Sequence, residues 1–159
     1  EQLEELFELI GRNVEKWLDS GLGSCVLKHP ENRRSLEKVI GFFDLARKEI
    51  VPRYELGAWV IMPNHVHLII RPLDGWDLSK ILQSIKRQSS KQINNNEETD
   101  GSLWMSESFD RILRDPQHLW RCLQYIGRNP DKAGLNPSEF SRWVNPEWVK
   151  LGWRFDEAE

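Results

Sequence analysis

Residues 2–18 set Leu3, Leu6, Leu9, Ile10, Val14, Trp17 and Leu18 at intervals that predict an amphipathic helix, and Gly21 and Gly23 end the run. A second helix is expected from Pro30 to about Lys48, with Leu36, Val39, Ile40 and Phe43 on its apolar side and Pro30 in its first turn. The period then changes. From Tyr54 to Arg71 the run YELGAWVIMPNHVHLIIR is rich in aliphatic and β-branched residues and is broken only at Met62-Pro63-Asn64. It predicts a hairpin with strands near 55–61 and 65–71. Gly75 and Trp76 precede a third helix, about Leu78–Ile93, with Leu78, Ile81, Leu82, Ile85 and Gln88 inward and its lysines outward. The polar tract Asn94–Gly101 reads as a loop. LWMSESFDRILR alternates as a strand near Leu103–Leu113, and Asp115-Pro116 supplies an N-cap and a first-turn proline for a fourth helix. That helix turns Leu119, Leu123 and Ile126 inward, and Pro130 is expected to end it near Asn129. Residues 131–159 look loop-rich, wrapping the body with Trp143, Trp148 and Trp153. Neither an internal repeat nor a second domain is visible, so a single domain over residues 1–159 is expected, with its core at about 23–135.

Composition narrows the class without choosing a function. The 159 residues are 39% hydrophobic and 30% charged, and no apolar run approaches the ~20 residues of a membrane span. A soluble globular protein is expected. The two cysteines, Cys25 and Cys122, lack metal-ligand spacing, and the N-terminus is acidic and amphipathic, unlike a signal peptide. Both features favour the cytoplasm. A net charge of −3 disfavours indiscriminate coating of nucleic acid, yet residues 78–92 carry Lys80, Lys86, Arg87 and Lys91 with no acid. Eight tryptophans could stack on unpaired bases, although core and interface anchoring is the commoner use of indole.

The chemistry concentrates in MPNHVHLI. Side chains at i and i+2 of a strand share a face, so His65 and His67 can present two imidazoles to one metal ion while Val66, Leu68 and Ile70 pack the opposite side. Such a pair alone also fits a structural role or an unrelated metal enzyme. Tyr125 lies on the fourth helix, and four residues on, Asn129 shares its face if the last turn persists. A helix crossing the histidine face would add a phenol and a third ligand, the outline of a phosphoryl-transfer site. Asn129 also reads as a helix C-cap beside proline. His118, about 10 Å along the axis from Tyr125, belongs to the helix start, and His29 is a loop residue before proline.

WVIMPNHVHLII, the KRQSSKQIN helix, LWMSESFDRILRD and YIGRNPDKAGL together resemble the IS200-like single-tyrosine transposases of the HUH superfamily. The chain is most similar to the branch of REP-associated tyrosine transposases, in which GSCVLKHPE also has a counterpart. The resemblance covers about Gly23 to Leu135. It implies an α+β fold, ferredoxin-like or RRM-like, with an antiparallel sheet, helices packed on one face and the histidines opening toward the tyrosine helix. It further implies His65, His67 and Asn129 as ligands of Mg²⁺ or Mn²⁺ and Tyr125 as the nucleophile. A free phenol, with a pKa of about 10, needs assistance to attack. Attack would give a 5′-phosphotyrosine and a free 3′ hydroxyl in single-stranded DNA near a REP-like hairpin. Lys86, Arg87, Lys91, Arg111, Arg114, Arg128 and Lys132 are the candidate phosphate contacts.

The family includes monomers and homodimers, and it places these proteins in the bacterial cytoplasm with the nucleoid. Two other readings stand beside the enzyme: a hairpin-binding protein of the same fold without turnover, and an unrelated metal-dependent hydrolase. One departure supports the first of these. Family members have a strand before the first helix, lying inside the sheet beside the histidine strand, whereas this chain is read as starting directly with that helix. A sheet without a central member would leave backbone groups unpaired.

Overall fold

Val66, Leu68, Ile69 and Ile70, on alternating sides of His65–Pro72, need cover on both faces, and the structure gives it. In the computed structural model, which describes residues 13–19, 25–106 and 109–156, this segment is the middle strand of a five-stranded antiparallel sheet. The elements in chain order are β1 (Asn13–Asp19), α1 (Pro30–Gly41), β2 (Tyr54–Ile61), β3 (His65–Pro72), α2 (Leu78–Glu97), β4 (Phe109–Leu113), α3 (Pro116–Lys132), β5 (Ser141–Val144) and α4 (Pro146–Lys150). A 3-10 turn at Val26–Lys28 precedes α1. The strand order is β4-β1-β3-β2-β5. The β2–β3 hairpin closes through Pro63-Asn64, with the Met62 amide donating to the His65 carbonyl at 2.8 Å.

The N-terminal reading requires the main correction. Residues 13–18, expected to continue a helix, form β1, which pairs with β3 from Val14↔Ile70 to Asp19↔His65 and with β4 on its other edge. The strand expected beside the histidines is therefore present. The rest of the expected helix, residues 2–12, lies outside the described residues. The apolar positions Val14, Trp17 and Leu18 of NVEKWLD fit a helical stripe better than a strand alternation, yet Glu15, Lys16 and Leu18 are all buried. Two charged residues that a helix would turn to solvent are inside because the open edges of β3 and β4 need hydrogen-bond partners.

The helices divide between both faces of the sheet rather than lying on one. On the first face, Leu36 and Ile40 of α1 and Ile81, Leu82, Ile85 and Ile93 of α2 pack on Leu18, Leu56, Val66, Leu68 and Ile70. On the second, Leu119, Leu123 and Ile126 of α3, with Trp148 and Trp153, pack on Ala58, Val60, Ile69 and Leu113. A bulge at Gly57 interrupts the β2–β3 register between Leu56 and Ala58, switching which alternation faces which layer.

Other boundaries moved for identifiable reasons. α1 ends at Gly41 instead of near Lys48, and the chain folds back so that the Arg53 and Leu45 amides donate to Phe43 and Tyr54 carbonyls. α2 runs to Glu97, so Asn94–Glu97 is helix, not loop. Its polar last turns bond to α1, with Asn32 reaching Glu97 Oε1 at 2.6 Å and Asn96 reaching Asn32 and Ser35, each at 3.0 Å. Gln88 is exposed and Ser89 is the inward residue, accepting from Trp104 Nε1 at 2.8 Å. With Trp104 drawn into that core, Leu103–Ser106 is irregular and β4 covers only Phe109–Leu113. α3 continues through Pro130 to Lys132. Proline removes one amide in the final turn, and the Ala133 amide still closes on the Asn129 carbonyl at 3.0 Å.

The C-terminal segment is more ordered than a loop-rich wrap. β5 pairs with β2, stacking Trp143 on Trp59 with ring centroids 6.0 Å apart, and α4 drives the Trp148 indole onto the Gly57 bulge. Gln124 of α3 clips the segment that follows, donating to the Arg154 carbonyl at 2.7 Å and accepting from the Asp156 amide at 2.8 Å. Among the described residues no tryptophan is exposed, and no helix is long and apolar enough to cross a membrane.

A Cβ at position 57 would overlap the Trp148 ring. Gly57→Ala is therefore expected to lower unfolding free energy by about 1–3 kcal/mol, read as a reduced denaturant midpoint at unchanged m-value.

Candidate active site

β3 places His65 and His67 on the face covered by α3, with ring centroids 5.0 Å apart and the rings nearly perpendicular. His67 is 2% exposed, so its ring polarity is set by protein neighbours. The Asn129 side-chain nitrogen Nδ2 lies 2.9 Å from His67 Nε2, a contact that suits an imidazole protonated at Nδ1. Nδ1 faces Glu15 Oε1 at 3.6 Å, longer than an ordinary hydrogen bond. In His65 the corresponding nitrogen, Nδ1, lies 2.7 Å from Asn64 Oδ1. Each imidazole therefore has an oxygen near its Nδ1, Asn64 Oδ1 for His65 and Glu15 Oε1 for His67.

Nothing in the local pattern marks Glu15 as a site residue, because a helix over residues 2–18 leaves it off the apolar stripe. It is buried on β1, directly opposite Arg111 of β4, and its Oε2 accepts from Arg111 Nη2 at 2.6 Å and Nε at 3.2 Å. Burial alone would raise its carboxyl. Contacts with His67 and Arg111 more than offset that, and its pKa falls to about 2. Glu15 is therefore an anion between two strands. The neighbouring Cys122 thiol is pushed well above its ordinary range, by burial and by that anion. It is an inert packing thiol.

Tyr125 and Asn129 are successive residues on one face of α3, and Tyr125 is 49% exposed. Tyr125 lines a cleft of about 420 Å³ together with His67, Glu15, Arg111, His118 and Arg121. Lys132 Nζ stands 5.2 Å from the Tyr125 ring centroid. Tyr54, the chain's other tyrosine, is buried on the opposite layer and donates to the Ile40 carbonyl at 2.5 Å, and burial raises its pKa far above that of a free phenol. Only Tyr125 is placed to meet a ligand at the histidines. His118 serves the helix start as expected, its amide donating to Asp115 Oδ1 at 2.7 Å, but its ring also reaches the cleft.

The remaining basic residues do not form one group. Arg111 lines the cleft and Lys132 stands by the Tyr125 ring, whereas Arg128 pairs with Asp156 at 3.3 Å on the surface and Arg114 is exposed beside His118. Lys86, Arg87 and Lys91 lie on α2, on the other face of the sheet. There they line a separate cleft of about 890 Å³ with Lys16, and burial together with the Lys16 charge lowers the Lys86 pKa.

The donor set fits a divalent ion without being a conventional cluster. Among the described residues no group of three or more His, Cys, Asp or Glu side chains could hold a metal, whereas two imidazoles and one carboxamide converge here. A half-turn of the Asn129 amide would offer Oδ1 where Nδ2 now meets His67.

No curated protein matches the chain. Among solved structures, a REP-associated tyrosine transposase bound to a REP hairpin aligns over 86% of both chains, with a TM-score of 0.58 and 20% identity. A candidate transposase from Deinococcus radiodurans aligns over 73% of this chain and 88% of its own, with a TM-score of 0.49 and 16% identity. The family described as "Transposase IS200 like" matches residues 45–126, a span that takes in both histidines and Tyr125. With more than half of its length matched, the chain belongs to the IS200-like transposase family.

Proposed function

We propose that this transposase cuts and rejoins single-stranded DNA through Tyr125, with a divalent ion, Mg²⁺ or Mn²⁺, held by His65, His67 and Asn129. The observation that carries the reading is the Asn129 amide against His67 Nε2, four residues beyond a tyrosine that opens onto the same cleft. Bound there, the ion would supply Lewis-acid charge to a phosphate oxygen. Tyr125 supplies the nucleophilic oxygen. The phosphorus–O3′ bond breaks as the phosphorus–phenolic oxygen bond forms, and in the net exchange the phenolic proton ends on the departing 3′ oxygen. The resulting phosphotyrosine is a phosphodiester, so a second 3′ hydroxyl can reverse the step without an added energy source.

Arg111 and Lys132 are positioned for the scissile strand, and an exposed Tyr125 admits a flexible single strand more readily than a paired one. Lys86, Arg87 and Lys91, on the other side of the sheet, would meet a different part of the nucleic acid from the part being cut. The hairpin seen in the similar solved structure is the natural candidate for that contact. Arg114 and Arg128 would add peripheral phosphate contacts, Arg128 at the expense of its pairing with Asp156. A monomer suffices for the site as described, since its groups come from one chain, and a homodimer would double it. The proposed setting is the bacterial cytoplasm, in contact with the nucleoid. The main ground for a binding protein without turnover was the lack of a strand beside the histidines, and β1 occupies that place.

Three outcomes are expected. Incubated with Mn²⁺ and a hairpin-bearing single-stranded oligonucleotide, the protein should form a denaturation-resistant DNA adduct on a gel. Tyr125→Phe should abolish the adduct and Tyr54→Phe should retain it. An adduct that survives Tyr125→Phe would sink the mechanism, and tight binding with no adduct would select the hairpin-binding reading. Asn129→Ala should weaken Mn²⁺ binding by about 10-fold or more in a titration followed by electron paramagnetic resonance. Unchanged affinity would remove Asn129 from the ligand set.

A further inference from the structure

We propose that Glu15 is a positioning residue that sets the two halves of the phosphate-facing surface at once. Through one carboxylate oxygen it fixes the ring polarity of His67, and through the other it holds the Arg111 guanidinium at the cleft. The assignment deepens the reading above and rests on it for the metal, while the ring polarity can be measured with no metal present.

Three adjacent strands, β4, β1 and β3, carry Arg111, Glu15 and His67 side by side. Glu15 is the cross-strand partner of Arg111, and on its other side it lies one residue pair diagonally from His67, since Trp17 pairs with His67 and Glu15 with Ile69. Its oxygens are shared out accordingly. Oε2 takes both Nε and Nη2 of Arg111, and Oε1 faces His67 Nδ1. The Arg111 side chain remains 42% exposed although its partner is buried, so the guanidinium keeps an edge for an anion in the cleft. A carboxylate whose only task was to join β1 to β4 would have no reason to sit 3.6 Å from the nitrogen opposite the one that meets Asn129.

Substitution by glutamine gives a directional expectation, because a carboxamide has one acceptor end and one donor end. Arg111 can only donate, so the glutamine oxygen would turn to Arg111 and its NH₂ to His67 Nδ1. That reverses the imidazole: the proton moves to Nε2, the nitrogen required for the ion. Adding Arg111→Met frees the oxygen to turn back toward His67.

Long-range ¹H–¹⁵N spectra of the metal-free, ¹⁵N-labelled protein report the protonated nitrogen of His67. The wild type is expected to show Nδ1–H, Glu15→Gln to show Nε2–H, and Glu15→Gln with Arg111→Met to return to Nδ1–H. Mn²⁺ affinity should follow the same order, falling about 10–100-fold in Glu15→Gln and recovering in the double variant. A wild type with Nε2–H overturns the proposal without needing any variant to fold. So does a folded Glu15→Gln protein that keeps the wild-type polarity and Mn²⁺ affinity. A wild type that binds no Mn²⁺ would instead refute the metal reading, and the spectra would still decide the role of Glu15.

Discussion

The structure depends on the insertion of β1 between β3 and β4. Without it, β3 would be an edge strand, and its backbone groups would need water in a place that α3 and the two core layers keep dry. With it, β3 is paired on both sides and covered on both faces, and the side chains at 65 and 67 are held on a rigid element. The same insertion delivers Glu15. A buried carboxylate is stable only when its oxygens are matched, and here the matching partners are a guanidinium on one neighbouring strand and an imidazole on the other.

The sheet separates two tasks. One face, under α1 and α2, is an apolar layer whose outer rim carries Lys86, Arg87 and Lys91. The other face carries the histidines, and α3 brings Tyr125 and Asn129 to them. The position of α3 is not left to its own packing: Gln124 ties it to the segment after α4, and Arg142 of β5 donates to the Gly127 carbonyl at 3.0 Å. At Gly127 itself a Cβ would overlap Phe155, so this close approach depends on glycine. The site is thus held in register by parts of the chain that carry no site chemistry.

Local spacing made much of this legible. The β2–β3 hairpin, the pairing of His65 with His67 on one face, and the Tyr125–Asn129 spacing each depend on residues a few positions apart, where strand and helix periods apply directly. The structure departs from the local pattern where apolar spacing favours the other period or where polar residues are not exposed. NVEKWLD placed its apolar residues as a helix would, and its strand identity depended on β3 and β4 lying on either side. Asn94–Glu97 looked like a loop because its polar groups bond to Asn32 and Ser35, more than sixty residues earlier in the chain. Pro130 looked like a terminus, yet only one helical amide is lost there.

By itself, the sequence determined the reactive residue types, their intervals, and the amphipathic segments that would carry them, because these are properties of short stretches. The tertiary structure decided which strand lies beside the histidines, that helices cover both faces, that the basic residues fall into separate groups, and that Glu15 stands between Arg111 and His67. Each of these depends on strand order and cross-strand register. Such pairings join residues about fifty to a hundred positions apart, and no local pattern in the chain encodes them.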